Sequence, residues 1–150
     1  MTHDFRRFPE LTNSQMDVYY FESPHRQITE DFSAKVVKVM DGDTIELRWQ
    51  DRDFDFPLRF SNIAAPEKTG TEGKESSNWL ESKVLNKEVE ISINPVNRVG
   101  KFGRLLGAVQ LGGLDVGDES ILAGHSVPWD RRKDGEIPNF QEELEEIGNN

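Results

Sequence analysis

Residues 34–49 constrain the fold more than any other stretch of the chain. Two short runs of alternating polarity flank Met40-Asp41-Gly42-Asp43-Thr44. In residues 34–39, Val37 and Val39 fall on one face, and Lys35 and Lys38 break up the rest. In residues 45–49, Ile45, Leu47 and Trp49 alternate with Glu46 and Arg48. A period of two is that of a half-buried strand. An Asp-Gly pair between two such runs reads as a hairpin, because it tolerates the positive backbone dihedrals of a tight turn. Two strands alone do not stand in water, so the apolar face needs further cover.

The sequence supplies that cover. Phe54, Phe56, Leu58 and Phe60 recur at every second position, with Asp55, Pro57, Arg59 and Ser61 on the other face. Pro57 lacks a ladder donor and so requires a bulge or an edge position. After Pro66 and a polar Gly/Thr loop, residues 74–85 read as a helix with Trp79, Leu80, Lys83 and Val84 along one side, closed by Asn86. Val89, Ile91 and Ile93 alternate as a fourth strand. Residues 94–103 form a loop, residues 105–111 a fifth strand ended by Gly112-Gly113, and residues 116–123 a helix. Asp115 reads as its N-cap, Gly124 as its terminator, and Ile121 and Leu122 as its buried residues. The order β-β-β-α-β-β-α predicts a mainly β, α+β chain: a five-stranded barrel of the oligonucleotide-binding (OB-fold) type with two to three helices.

The barrel accounts for residues 34–130. Residues 1–33 read as an N-terminal arm. Phe5, Phe8, Tyr19, Tyr20, Phe21 and Phe32 show neither a helical nor a strand period there, and Pro9 and Pro24 interrupt them. Such an arm is either a loosely packed extension covering the domain's flank or a docking element for a second subunit or a protein partner. Residues 131–150 form an acidic tail with a short helix expected over 139–147.

The chain of 150 residues carries a net charge of −10, to which the three stretches contribute −3, −4 and −3. Long-range attraction therefore does not draw it to phosphate, and contact with nucleic acid must come from a local basic cluster. No run approaches the roughly 18 apolar residues of a membrane span. The first ten residues lack the apolar centre of a signal peptide, which predicts a cytoplasmic protein. Without cysteine there are no disulfides and no thiolate metal ligands.

Four blocks, in order, resemble the staphylococcal nuclease family: Asp41-Gly42-Asp43-Thr44, Leu58-Arg59, Ala65-Pro66-Glu67 and Lys101-Phe102-Gly103-Arg104. The resemblance implies the same five-stranded barrel and metal-dependent hydrolysis of phosphodiester bonds in DNA and RNA. It implies that Asp43 binds the metal, helped by the backbone carbonyl of Ala65 and by Glu67 through water. The metal would be calcium, with magnesium or manganese as alternatives. Arg59 and Arg104 would grip the phosphate, and Glu67 would act as general base. The residue types suit this chemistry. Guanidinium forks bind phosphate oxygens bidentately, and a hard cation on oxygen ligands neutralises the charge that develops on them.

The chain also departs from the family. Ala64 stands where the family places a second metal carboxylate; Asp41 can assist through water, whereas Asn62 is too far for direct replacement. Phe102 replaces a frequent tyrosine and can stack on a base beside Lys101 but cannot bond a phosphate. Trp129 faces either a base or the barrel. Lys68, Lys74, Arg98 and Lys101, with the two arginines, are the expected local basic cluster. His125 is expected to be structural or peripheral. The alternative to a nuclease is a barrel that has lost hydrolysis and serves as a binding or assembly module for nucleic acid or protein. Ala64 and the acidic charge favour that alternative. Asp43, Arg59, Glu67 and Arg104 favour the enzyme.

Overall fold

The computed structural model describes residues 3–67, 69–100 and 103–132. In chain order the elements are α1 (Asn13–Tyr19), β1 (Phe32–Asp41), β2 (Thr44–Arg48), β3 (Phe56–Phe60), β4 (Ile63–Ala64), α2 (Thr71–Val84), β5 (Glu88–Ser92), β6 (Leu105–Leu111), β7 (Leu114–Asp115), α3 (Val116–Leu122) and β8 (Val127–Pro128). The expected helix over 139–147 lies outside the described residues.

The sheet runs β3-β2-β1-β5-β6, and β6 then pairs with β3, Leu58 beside Leu105, closing a five-stranded barrel. Every junction is antiparallel except this parallel seam. Closure removes the unpaired edges that an open sheet would leave. Inward-facing Val36, Ile45, Leu47, Phe56, Leu58, Phe60, Ile91, Leu105 and Val109 are fully buried. Each large apolar side chain removed from water contributes about 1.5–3 kcal/mol. Val36, not Val37, shares the core with Val39, because a register shift after Val36 realigns β1 on β2.

Pro57 costs the ladder nothing. Phe60 donates to the Asp43 carbonyl, and the alternation of antiparallel bonds turns the nitrogen of Pro57 to the β6 side of β3. The ladder to β6 begins only at Leu58. Beyond Leu111, Gly112 and Gly113 both adopt positive φ and turn the chain back as β7 along β6, a return the sequence reading stopped short of. Asp115 caps α3 by accepting from Asp118 N–H at 2.9 Å, and Gly124 ends it at φ +82°. Leu122, expected to be buried, is 88% exposed, while Ile121 packs against the core. A seven-residue helix lying on a barrel can turn only part of its circumference inward. Asn86, at φ +64°, follows α2 as expected.

The hairpin tip departs from the expected turn. Asp41 pairs with Thr44, leaving Gly42 and Asp43 as the loop, and neither has positive φ. Gly42 is required by contact instead. A Cβ there would lie 2.1 Å from Ser76 Oγ and 2.8 Å from the Ala65 Cβ. The N-terminal half of α2 buries Gly73, Ser76 and Ser77 rather than large apolar groups, so the helix comes down directly onto the tip. This small-residue contact fixes where Asp43 sits.

The N-terminal arm is packed, not loose. Thr12 and Gln15 form a reciprocal capping box at the start of α1, where no helical period was apparent. Leu11 and Ile28 are buried, and so is Glu10, whose carboxylate pairs with Arg52 and, at 3.2 Å, with Arg98. Among the described residues, no helix is long and apolar enough to cross a membrane. Two expectations follow. Gly42→Ala should cost about 1–3 kcal/mol by overpacking, read as a lower urea midpoint with unchanged slope. Glu10→Ala, which strands two buried guanidinium groups, should cost about 3–5 kcal/mol in the same measurement.

Candidate functional site

The site grows from the hairpin tip. Asp43 is 4% exposed, and all the contacts of its carboxylate given by the fold are internal. Oδ1 accepts from Thr44 Oγ1 at 3.1 Å. Oδ2 accepts from the Ala65 N–H at 3.0 Å and from Arg59 Nη2 at 3.3 Å. The register explains the meeting: β2 and β3 pair Thr44 with Arg59, so an arginine at that position on β3 lies beside the tip. Arg59 is itself 4% exposed, and its Nη1 donates to the carbonyls of Phe60 at 2.9 Å and Ile63 at 3.3 Å. One ion pair thus ties the β1–β2 turn to β3 and to both ends of β4.

Trp129 completes this side. Its N–H donates to the Asn62 carbonyl at 3.0 Å, just before β4. The Arg59 guanidinium carbon lies 4.4 Å from the centre of the Trp129 ring, and that of Arg132 lies 4.0 Å from it. Arg132 also donates to the Trp129 carbonyl at 2.8 Å. Arg132 is a site neighbour that no sequence motif singles out. Its signal was a second cation three residues after the tryptophan, a spacing that one helical turn brings together.

The remaining sequence-predicted residues fall as follows. Glu67 is half-buried in the segment between β4 and α2. Arg104 is half-buried immediately before β6, the strand that pairs with β3. Lys68, Lys101 and Phe102 lie outside the described residues. Lys74 is exposed on α2. Arg98, expected in the basic cluster, is 3% exposed and committed to Glu10 and to carbonyls of the arm, so it does not serve phosphate. Asn62 turns its side-chain amide to Asp115 at 3.1 Å, toward the cap of α3. His125 accepts at its carbonyl from Ser76 Oγ at 2.9 Å, and its ring lies against Trp79. The broad cleft of about 690 Å³ lined by Arg26, Trp49, Asp51 and Glu88 lies toward the other end of the β1–β2 hairpin and contains none of the sequence-predicted site residues.

Two carboxylates crowd the tip. Asp41 Oδ1 accepts from the Asp43 N–H at 3.1 Å. Burial, and then the negative charge of Asp43, push the Asp41 carboxyl up to about 8. Burial also works against Asp43, but the charge of Arg59 and the hydrogen bonds it accepts prevail and hold it below the ordinary carboxylate value. The tip therefore carries a firmly ionised carboxylate, neutralised by Arg59, beside one that resists ionisation. The sign for stability follows. A raised pKa stabilises the folded state while the group is protonated, and that contribution is lost as pH rises from the ordinary value of 3.8 through about 8. Asp41→Asn should therefore flatten the decline in stability across this range. It should leave the variant more stable than the parent at pH 8 by about 2 kcal/mol or more, since each pKa unit is worth about 1.4 kcal/mol. Urea midpoints of both proteins across the range give the comparison.

No family model matches the chain. Two curated proteins, from Escherichia coli O157:H7 and Escherichia coli, are each 33% identical to it over 115 residues, a match that spans 75% of this chain and 72% of theirs. Both bear the name uncharacterized endonuclease. By this identity and coverage, the chain belongs to the same family as these endonuclease-named Escherichia coli proteins.

Proposed function

We propose that the protein is a nuclease of the staphylococcal nuclease type that hydrolyses phosphodiester bonds of DNA, and of RNA as a second substrate, with a divalent cation. The kinship with endonuclease-named proteins supports the coarse activity. The observation that carries the finer reading is the Asp43–Arg59 pair. It sets a fixed anion and a fixed guanidinium side by side at the mouth of a closed barrel.

The donor set fits a weakly held, water-rich cation. A carboxylate offers about four lone-pair directions, and internal donors engage three of those of Asp43. Asp41 stands beside it, and Ala64, 3% exposed, brings only a methyl group. Among the described residues, no three carboxylates or histidines gather around one point. Asp43 would hold the cation, assisted through water by Asp41, with the Ala65 carbonyl and, through water, Glu67 as the further donors that the resemblance implies; water and substrate oxygens would fill the remaining positions. Calcium ordinarily takes ~6–8 oxygens, whereas magnesium keeps several waters on one or two carboxylates, which makes magnesium and manganese serious rivals here. A bound cation would neutralise charge on the phosphate.

The protein's own groups supply the rest. Arg59 and Arg104 bind non-bridging oxygens. Glu67 orients or deprotonates the attacking water, help typically worth ~10²–10⁴ in rate. Trp129, with guanidinium groups of Arg59 and Arg132 against its ring, braces the cations that face the phosphates. The barrel as an inert binding or assembly module is the competing reading, favoured by Ala64 and by the net charge of −10.

Cleavage of DNA and RNA oligonucleotides with calcium, magnesium and manganese decides between them. Cleavage should require metal. It should fall ~10²–10⁴-fold in Glu67→Gln and by a similar factor in Arg59→Lys, with folding verified for each. Ala64→Asp should tighten the cation. A folded protein that cuts nothing with any of the three metals contradicts the enzyme and leaves the binding module.

A further inference from the structure

The loop that delivers Arg104 to the barrel is gripped by the N-terminal arm at two points. At its base, the backbone pairs with the start of β6. Leu106 donates to the Arg98 carbonyl at 2.9 Å, Val99 bridges to Leu105, and Gly100 donates to the Arg104 carbonyl at 2.8 Å. The Arg98 side chain runs the opposite way, into the arm. Its Nε donates to the Ile28 carbonyl at 2.7 Å, its Nη1 to the Leu11 carbonyl at 2.9 Å and to Asn13 Oδ1 at 3.1 Å, and its Nη2 to Glu10 at 3.2 Å. Nearer the tip, Gly103 adopts φ +68°, and a Cβ there would come within 3.1 Å of the Phe8 Cα and 3.2 Å of its Cβ. Phe8 is held in turn: its carbonyl accepts from His3 Nε2 at 2.9 Å, and its N–H donates to the Asp4 carbonyl at 3.0 Å.

These contacts do more than cover the barrel's flank. A solvated loop leaves its residues free, and fixing each backbone unit costs about 1–2 kcal/mol of conformational entropy. A guanidinium useful for phosphate must have that cost met before substrate arrives, because a misplacement of about 1 Å can cost ~10² in rate. Arg98 and Gly103 bracket the loop, and both are held by the same arm. We propose that the arm is a clamp that sets the position of Arg104, with Glu10, acting through Arg98, and Phe8, acting through Gly103, as positioning residues. The proposal rests on the phosphate-gripping role of Arg104 in the nuclease reading.

Phe8→Ala is the main test, because it removes the half-buried ring, whose Cδ1 lies 3.4 Å from where a Gly103 Cβ would stand, and leaves the Glu10 network in place. Two readouts on the full chain separate the clamp from the enzyme. The first is amide hydrogen exchange. Gly100 and Leu106 should lose about tenfold or more of their protection, while the barrel amide of Ile45 keeps its own. The second is kinetic, on an oligonucleotide with the activating metal. Phe8→Ala should lower kcat about tenfold or more with KM nearly unchanged, and should cost nothing further in an Arg104→Ala background. Glu10→Gln, if it folds, should show the same non-additivity. Unchanged exchange at Gly100 and Leu106, or an equal kcat loss in both backgrounds, overturns the clamp. A folded parent that cleaves nothing overturns the nuclease reading instead, and exchange alone then decides whether the arm orders the loop.

Discussion

The ion pair between Asp43 and Arg59 is the interaction that holds the β1–β2 tip, β3 and β4 together. Both groups are almost out of reach of water, where unpaired charges are costly and removal of either partner typically costs about 3–5 kcal/mol. The surroundings meet that cost. The Asp43 carboxylate accepts from Thr44 and the Ala65 N–H, and the Arg59 guanidinium donates to the carbonyls of Phe60 and Ile63. Four residues at or beside the ends of three consecutive strands, β2, β3 and β4, converge on one pair. Under the proposed nuclease reading the same atoms would serve stability and function, since a guanidinium that is already desolvated and oriented binds a phosphate oxygen with little reorganisation.

The rest of the fold serves this convergence. The parallel seam between β3 and β6 brings the strand after Arg104 alongside the strand of Arg59. Helix α2, with small residues where it meets the tip, presses the turn against Ala65. The arm adds a second buried charge cluster, Glu10 between Arg52 and Arg98, on the loop side of the barrel. Two of the chain's arginines are thereby spent on structure, so the basic surface left for substrate is small in a molecule of net charge −10. Attraction to a polyanion is then short-ranged and strongly weakened by salt.

The barrel was legible because period-two apolar runs admit few other arrangements, and the strand and helix boundaries of Leu105–Leu111 and of the helix capped by Asp115 could be read from local chemistry alone. What stayed hidden depended on tertiary contact. Gly42 looked like a residue chosen for its dihedral freedom and proved to be chosen for lack of a side chain beneath Ser76. Arg98 looked like a surface cation in a basic loop, because nothing near it in sequence announces Glu10, 88 positions away. Leu11 and Ile28 joined the buried set without any period to betray them. At the site, the Asp43–Arg59 meeting follows from strand register, whereas the residue types suggest a metal for one and a phosphate for the other rather than a pair. The meeting of Trp129 with Arg59 depends on the chain's return as β8 beside β4, which no local pattern encodes.

Asp43 and Arg59 act as one unit at the end of the barrel. A double-mutant cycle on folding stability measures this most directly, using Asp43→Asn, Arg59→Gln and the combined variant in urea at neutral pH. A coupling energy of about 1.5–3 kcal/mol is expected, with the double variant far less impaired than the sum of the singles. Losses that add to within about 0.5 kcal/mol would show two independent residues and contradict it.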